Sequence, residues 1–267
     1  MTAPLRFTKM SGAGNDFIVL DAGAWEALPG DRTRWIREVC RRGLSVGADG
    51  VLVVRPEAPA RVRLDYFNAD GSEAFCGNGS RCAARYAARH GMAPETMTLL
   101  TAAGEVPATV AGEVVSVVLP PPEDLGPIDL VSGGRAFNGR WIRAGVPHVV
   151  FEVAGLASYP IEQFAPALRA DARLGPEGAN VDLVERDREG RVHVRTWERG
   201  VEAETLACGT GAVAAALANR LSGGVEAVTI VPRSGVPLAI TIPGEPARPG
   251  RATLTGDARF VFDGTLA

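Results

Sequence analysis

The chain has 267 residues, of which 46% are hydrophobic and 22% are charged. This length and composition allow one large domain or two smaller domains, each with a buried core. A net charge of -3, with arginines scattered along the chain, gives no basic footprint for nucleic acid. No apolar run approaches the roughly 18 residues of a membrane span, and the N-terminus does not have the pattern of a signal peptide. We therefore expect a cytoplasmic protein that binds neither nucleic acid nor membranes.

The first half of the sequence predicts a series of short strands interrupted by two helices. Alternating or apolar runs predict strands near residues 5–10, 17–20, 51–54, 61–67, 97–101, 106–110 and 114–119. One helix begins after Asp31, a typical N-cap, and ends at Gly43. The second helix covers residues 81–90. Cys40 lies on the apolar stripe of the first helix and Cys82 on that of the second, so both are predicted to be core residues.

Four prolines between residues 120 and 127 predict a linker, because proline interrupts helices and sheet pairing. After it the mixture repeats, with helices near residues 161–172 and 212–221. The predicted strands of this half lie near residues 149–153, 181–185, 191–197, 225–231, 238–242, 252–255 and 260–262. Many strands with only two helices per half indicate an α+β fold rather than a doubly wound parallel sheet. The helix at 212–221 is apolar nearly all round, which indicates a central helix wrapped by a mixed or antiparallel sheet.

The sequence Cys-Gly-x-Gly occurs at residues 76–79 and again at residues 208–211, each time at the head of a predicted helix. The flanks also match: residues 61–67 and 191–197 alternate and end in an aromatic residue. Asn68 and Glu198 follow these two strands at equivalent positions. The chain is therefore interpreted as a duplication, with one copy in each of two similar domains and both cysteines facing the cleft between them.

A cysteine at a glycine-rich helix N-terminus lies in a positive field, which favours its thiolate. An isolated cysteine is more often a small buried hydrophobe, but the repeated context favours a functional role for Cys76 and Cys208. The backbone N–H groups after each cysteine can also bind an anion. Two opposed thiols suit racemisation or epimerisation, in which one removes a proton and the other delivers a proton to the opposite face.

Cofactor and metal chemistry receive little support from the sequence. Lys9 is the only lysine, so a pyridoxal phosphate Schiff base has a single candidate residue. The glycines at residues 12–14 miss the third glycine of the dinucleotide fingerprint, and no cysteine pair has zinc-ligand spacing. We therefore expect an enzyme that uses no cofactor and no metal. Arg199, directly after Glu198, is a candidate to clamp a substrate carboxylate.

The sequence resembles the diaminopimelate epimerase family. The resemblance runs through most of the chain and is carried by residues 10–19, 47–50, 67–73, 76–82, 198–200 and 204–211. It implies a cofactor-independent isomerase that interconverts LL- and meso-2,6-diaminopimelate by two-base proton transfer in lysine and peptidoglycan precursor biosynthesis. It also implies two similar domains that close over a small-molecule substrate, a C-terminal strand returning to the first domain, and a homodimer. The predicted domains are residues 1–122 with 258–267, and residues 123–257.

The family resemblance assigns Cys76 and Cys208 as the acid–base pair. Glu198 and His148 match residues beside the reacting amino group and the thiols. The positions that the resemblance assigns to substrate binding, with the N–H groups that follow each cysteine, are Asn15, Asn68, Gly77, Asn78, Asn180, Glu198, Arg199, Gly209 and Thr210.

Three kinds of departure from the family pattern leave the substrate open: a valine in place of a polar residue, altered loop lengths, and a glycine at residue 50. Val146 stands where the family usually has Asn, the loop before Cys76 is one residue shorter, and the loop before Cys208 is one residue longer. Gly50 replaces a Gln found in many members. An epimerase of another amino acid, such as histidine, is therefore an alternative. A thiol-redox or anion-binding module is an alternative of a different class.

Overall fold

The computed structural model describes residues 4–28 and 30–266. The chain divides into two compact units. Unit 1 comprises residues 1–117 and 255–267, and unit 2 comprises residues 118–254. No helix in the described part of the chain is long and apolar enough to cross a membrane.

The first part of the chain contains eight strands and three helices among the described residues. They are β1 (Leu5–Gly12), β2 (Asn15–Asp21), α1 (Ala22–Glu26), α2 (Arg32–Val39), β3 (Gly50–Ala58), β4 (Arg61–Asn68), β5 (Glu73–Ala74), α3 (Gly77–Arg89), β6 (Thr96–Thr101), β7 (Gly104–Ala111) and β8 (Val114–Leu119).

The remaining elements include two 3₁₀ turns, Leu156–Ser158 and Ala172–Leu174. The strands and α-helices are β9 (Glu123–Ser132), β10 (Arg135–Ala144), β11 (Val146–Glu152), α4 (Ile161–Arg169), β12 (Asn180–Arg186), β13 (Val192–Glu198), β14 (Ala203–Thr205), α5 (Gly209–Leu221), β15 (Ala227–Val231), β16 (Leu238–Thr241), β17 (Gly244–Glu245), β18 (Arg248–Pro249), β19 (Ala252–Asp257) and β20 (Arg259–Leu266).

In unit 1 the strands form a mixed sheet around α3. The strand order is β20-β1-β2-β3-β4-β6-β7-β8, with parallel pairing of β2 with β3 and of β4 with β6. Helix α3 contacts β1, β2, β3, β4, β6 and β7 and buries most of its residues. On a second core, α1 and α2 pack Trp25, Ile36 and Val39 with residues of β2 and β3. The C-terminal strand β20 belongs to this unit and pairs with β1.

Unit 2 repeats this arrangement around α5. The strand order is β9-β10-β11-β12-β13-β15-β16, with parallel pairing of β11 with β12 and of β13 with β15. Helix α5 is buried from Gly211 to Asn219, as its apolar sequence predicts. It contacts β10, β11, β12, β13, β15 and β16. The matching pairing pattern confirms the duplication and the α+β fold of two similar units, each a sheet around a central helix.

The structure corrects the interpretation of the proline-rich segment. The four prolines were predicted to prevent sheet pairing, but β9 runs through Pro127 and pairs with β10 in an antiparallel hairpin that the sequence reading missed. The register shifts where Gly126 faces Trp141 and Asp124 faces Ile142. This bulge near the proline lets the strand continue, because bulges are among the places where a sheet accommodates proline.

Two helix predictions also need correction. Helix α1 was not predicted, although Asp21 caps it through a hydrogen bond from the Ala24 N–H. Helices α3 and α5 begin at Gly77 and Gly209, several residues before their predicted starts at 81 and 212. Their glycines belong to the first helical turn because the preceding cysteine is the N-cap.

Candidate active site

Each central helix begins directly after one of the paired cysteines. Cys76 and Cys208 have extended backbone conformations and are the N-caps of α3 and α5. The Gly79 N–H donates to Cys76 Sγ at 3.3 Å, and the Gly211 N–H donates to Cys208 Sγ at 3.4 Å. The same local structure therefore places a thiol at the head of the buried helix in each unit.

The N-cap arrangement leaves two backbone donors beside each thiol. An α-helix provides no intrahelical acceptor for its first N–H groups, and each cysteine sulfur accepts the third of them. The first two belong to Gly77 and Asn78 in α3 and to Gly209 and Thr210 in α5. Both pairs lie at the positive end of a helix dipole, where a carboxylate is stabilised.

In unit 1 a chain of side-chain hydrogen bonds links two of the predicted site residues. Asn15 donates through Nδ2 to Asp49 Oδ2 at 3.0 Å and accepts at Oδ1 from Asn78 Nδ2 at 2.6 Å. Asn78 accepts in turn from Arg81 Nη1 at 2.9 Å. Arg81 is fully buried, and burial lowers the pKa of its guanidinium. The carboxylate and the guanidinium at the two ends fix the orientation of both amides.

Asn68 and Lys9 have local partners in unit 1. Asn68 is the last residue of β4 and donates through Nδ2 to Ser72 Oγ at 3.0 Å. Lys9 is buried and forms an ion pair with Asp16 at 2.7 Å. It also donates to the backbone carbonyl of Gly47. The only lysine of the chain is therefore engaged in a structural ion pair.

A polar network lies behind Cys208 in unit 2. His148 is fully buried, and its Nδ1 lies 2.7 Å from Asp182 Oδ2. The opposite ring atom, Nε2, lies 3.0 Å from Thr210 Oγ1, and that oxygen lies 3.3 Å from Cys208 Sγ. Asp182 also accepts from Thr196 Oγ1 at 2.7 Å. The predicted residues His148, Thr210 and Cys208 are thus brought together in one connected chain.

Asn180 and Arg199 adjoin this network. Asn180 Oδ1 accepts from the Arg199 backbone N–H at 2.7 Å, and Asn180 Nδ2 lies 3.3 Å from His148 Nε2. The Arg199 guanidinium donates to the exposed Glu177 at 2.8 Å. A surface pair of this kind has a small net energy, so the guanidinium can exchange Glu177 for another carboxylate.

Glu198 ends β13, as Asn68 ends β4, and its carboxylate accepts from the Thr205 hydroxyl. Burial raises the pKa of Glu198, opposed by hydrogen bonds from Thr205 and Cys208. Burial also raises the pKa of Cys208 well above its usual range, and the charges of Glu198 and Asp182 raise it further. The hydrogen bonds that Cys208 makes with Thr210 and Gly211 act in the opposite direction. The helix terminus therefore lowers the pKa of Cys208 through the Gly211 N–H, as expected, but burial and two carboxylates outweigh this effect.

The other two cysteines are core residues, as predicted. Cys40 and Cys82 are buried, and burial raises the pKa of each thiol to about 12. Neither forms a disulfide in the structure. These two positions therefore differ from the two partly buried cysteines that cap the central helices.

The two copies of the duplication have different side chains at equivalent strand positions near the two cysteines. Register pairs Phe17 with Gly50 and Leu52 with Tyr66 in unit 1. The equivalent pairs in unit 2 are His148 with Asn180 and Asp182 with Thr196. A Cβ atom on Gly79 would accordingly meet Leu52 and Phe17, whereas on Gly211 it would meet Asp182 and Thr196. Gly79 in the first turn of α3 therefore faces apolar side chains, and Gly211 in the first turn of α5 faces polar ones.

This difference predicts that Gly79, in the first turn of α3, and Gly211, in the first turn of α5, tolerate substitution by alanine to different degrees. A Cβ on Gly211 would lie 2.7 Å from Asp182 Oδ1, a fixed carboxylate. On Gly79 the nearest atom is Leu52 Cδ2 at 3.0 Å, the end of a flexible side chain. We expect Gly211→Ala to destabilise the protein by about 2–3 kcal/mol and Gly79→Ala by about 1 kcal/mol. Urea unfolding of both variants measures the difference, and equal losses would contradict the assigned environments.

Four residues of these networks were not predicted from the sequence: Asp49, Arg81, Asp182 and Thr196. One signal was present, because Asp182 lies two positions after Asn180 and shares its face of an alternating strand. The contact between His148 and Asp182 depends on the pairing of β11 with β12, which short-range patterns do not specify.

Solved structures of other proteins share the fold of this chain. Over 99% of each chain, the structure superposes on a phenazine biosynthesis protein of the PhzF family from Bacillus anthracis, with a TM-score of 0.74 and 16% identity. A probable proline racemase from Agrobacterium radiobacter K84 matches with a TM-score of 0.70 and 17% identity, covering 99% of this chain and 93% of the other. The chain therefore has the two-unit α+β fold of these proteins.

Sequence similarity identifies the family. The model of the diaminopimelate epimerase family matches residues 7–119 and 140–261. The diaminopimelate epimerase of Archaeoglobus fulgidus is 40% identical over 98% of this chain and 96% of its own length. That of Aquifex aeolicus is 37% identical over 98% of both chains. The chain belongs to the diaminopimelate epimerase family.

Proposed function

We propose that the protein is an isomerase that interconverts LL- and meso-2,6-diaminopimelate, a step of lysine and peptidoglycan precursor biosynthesis. The observation that carries the proposal is the matched pair of cysteine N-caps, Cys76 and Cys208, in a chain of the diaminopimelate epimerase family. In the proposed reaction one thiolate removes the proton from the α-carbon. The other thiol delivers a proton to the opposite face, which inverts the stereocentre.

The proposed reaction needs stabilisation of the carbanion that forms at the α-carbon. The N–H groups of Gly77, Asn78, Gly209 and Thr210 are the proposed donors to the α-carboxylate, because they lie in the first turns of α3 and α5. Hydrogen-bond donors placed where negative charge develops are usually the largest catalytic contribution of an enzyme site. The proposal uses no pyridoxal phosphate and no metal. The ion pair of Lys9 with Asp16 supports the absence of a Schiff-base lysine.

The remaining predicted residues are proposed to recognise the rest of the substrate. Arg199 binds a carboxylate in place of Glu177, and Asn15, Asn68 and Asn180 contribute amide groups. Glu198 and His148 are proposed to lie beside the reacting amino group. Val146 begins β11 and offers no side-chain hydrogen bond to the distal end of the substrate.

The pKa of Cys208 assigns starting roles to the two thiols within the proposal. Because burial and two carboxylates raise it, Cys208 is the thiol that carries a proton in the free protein. Cys76 has no buried carboxylate equivalent to Asp182 behind it, since Leu52 occupies that register position. Cys76 is therefore proposed as the base when substrate binds to a protein in which Cys208 is protonated.

Deuterium exchange tests the substrate. Protein is incubated in deuterated buffer with LL-diaminopimelate, with meso-diaminopimelate and, separately, with L-histidine. We expect deuterium at an α-carbon of diaminopimelate, together with formation of the other stereoisomer, and none in histidine. Exchange into histidine alone would mean that histidine, and not diaminopimelate, is the substrate. No exchange into any amino acid would favour the thiol-redox or anion-binding module.

The quaternary and cellular setting is also part of the proposal. We propose a cytoplasmic homodimer with two epimerase domains, residues 1–122 with 258–267 and residues 123–257. The family membership supports this setting. Light scattering of the purified protein measures the oligomeric state directly.

A further inference from the structure

The orientation of Asn180 defines the protonation of the His148 ring. Asn180 Oδ1 accepts from the Arg199 backbone N–H, which is always a donor. The Asn180 amide therefore directs Nδ2, also a donor, towards His148 Nε2 at 3.3 Å. Nε2 is then the acceptor atom of the ring, and the ring proton is on Nδ1.

Asp182 enforces the same tautomer from the other side of the ring. Its carboxylate is fully buried and lies 2.7 Å from Nδ1, where an ionised oxygen can only accept. Thr196 donates to the second oxygen, so both carboxylate oxygens have a partner. Asn180 and Asp182 thus both favour the Nδ1–H form of His148, and the contact of 2.7 Å to the Asp182 carboxylate is the stronger of the two.

This tautomer sets the direction of the hydrogen bonds that lead to Cys208. With Nε2 as acceptor, the Thr210 hydroxyl donates to His148, and its oxygen is free to accept from the Cys208 thiol. We propose that Asp182 is a positioning residue for Cys208: by fixing the tautomer of His148, it provides, through Thr210, an internal acceptor for the thiol proton. The catalytic meaning of this inference rests on the proposed epimerase function.

We call the hydrogen-bonded chain from Cys208 through Thr210 to His148 the relay. Proton transfer along the relay conserves every proton. When Cys208 becomes a thiolate, its S–H bond breaks and the proton passes to Thr210 Oγ1. The hydroxyl proton of Thr210 passes at the same time to His148 Nε2. The products are a thiolate and an imidazolium, and Asp182 remains a carboxylate that stabilises the imidazolium. Reprotonation of Cys208 reverses both transfers.

The residues that lie behind Cys208 are not repeated at the equivalent positions of unit 1. Phe17, Leu52 and Tyr66 occupy the unit 1 positions of His148, Asp182 and Thr196. Phe17 and Tyr66 pack edge to face, with ring centroids 5.9 Å apart. The duplication has therefore kept the fold while the residues at these three positions differ between the two units.

The test substitutes Asp182→Asn, which keeps the side-chain shape. The amide introduced at this position would keep its oxygen on Thr196 and present an N–H to Nδ1, so the ring proton moves to Nε2. We expect long-range ¹H–¹⁵N correlation spectra to show the Nδ1–H tautomer of His148 in the unsubstituted protein and the Nε2–H tautomer in the variant. The chain has three histidines, which makes assignment by single substitutions direct. The kcat for epimerisation should fall by up to about 10⁴-fold with KM unchanged, as when an Asp that orients a catalytic His is replaced.

A matched control is available in the same unit. Asp187 Oδ2 lies 2.9 Å from Nε2 of the partly exposed His193, the other Asp–His contact of the described residues. We expect Asp187→Asn to change the His193 signals and to leave both the His148 tautomer and the epimerase activity as they were. If Asp182→Asn does not fold, Thr210→Val interrupts the relay instead. It should lower kcat to an extent similar to that of Asp182→Asn, while His148 keeps its Nδ1–H form.

The outcomes separate this inference from the proposed function. Retention of the Nδ1–H tautomer in Asp182→Asn overturns the inference, as does a switched tautomer with unchanged kcat. An undiminished kcat in Thr210→Val also overturns it. If the unsubstituted protein does not exchange diaminopimelate, the proposed function fails, but the tautomer measurement still decides the role of Asp182.

Discussion

Replacing either paired cysteine by alanine is expected to abolish epimerisation, with a loss of at least about 10⁴-fold in kcat. In the proposed mechanism both thiols are needed in every turnover, because one removes the α-proton and the other delivers its replacement. Each single variant retains one thiol at the head of its helix, Cys76 in α3 or Cys208 in α5. We therefore expect each variant to exchange deuterium into one stereoisomer without inverting it. Chiral chromatography with mass detection measures inversion and exchange separately.

The matched control is Cys40→Ala. Cys40 is buried in the core formed with α2, and its thiol has a pKa of about 12. The variant should keep its epimerase activity and lose about 1 kcal/mol of stability from the small cavity. Full epimerisation by both Cys76→Ala and Cys208→Ala would refute the two-base account.

Replacing Glu198 by glutamine is expected to lower the pKa of Cys208 and to lower kcat/KM about 10²-fold. The sign follows from charge: a carboxylate beside a thiol disfavours the thiolate, and Glu198 raises the pKa of Cys208 in this way. Without that charge, Cys208 ionises at lower pH and no longer holds the proton that it must deliver. The pH optimum of the reaction should move to lower pH.

The pH dependence of iodoacetamide alkylation measures this shift in a Cys76→Ala background. Cys208 is then the accessible thiol, since Cys40 and Cys82 are buried. Alkylation should begin at lower pH in Glu198→Gln than in the parent. Glu202→Gln is the control, because Glu202 follows in the next turn, is exposed and pairs with Arg169. An alkylation profile that moves to higher pH in Glu198→Gln would contradict the assigned electrostatics.

The local features of the fold could be predicted from the sequence. The repeated Cys-Gly-x-Gly predicts two equivalent helix starts, and the apolar sequence of α5 predicts its burial. The duplication is confirmed by strand pairing that repeats in the same order. The hairpin of β9 and β10 could not be predicted from the proline content, because a bulge opposite Trp141 accommodates the strand.

Some residues of the candidate site could be predicted from the sequence, but the protonation of Cys208 could not. Cys76, Cys208 and His148 follow from the repeat and the family resemblance. The pKa of Cys208 depends instead on burial and on carboxylates that come from two different strands. Helix-terminus arguments include only the local field, and at Cys208 the long-range contacts determine the outcome.

The most direct test of the two-base claim is the origin of the α-hydrogen in the first product formed. LL-diaminopimelate carrying ordinary hydrogen is incubated with the protein in deuterated buffer and sampled at low conversion. The two-base mechanism predicts that the meso product carries solvent deuterium at the inverted carbon, while the remaining LL substrate still carries hydrogen. Meso product that retains the substrate hydrogen would mean that one base serves both faces, and it would contradict the paired roles of Cys76 and Cys208.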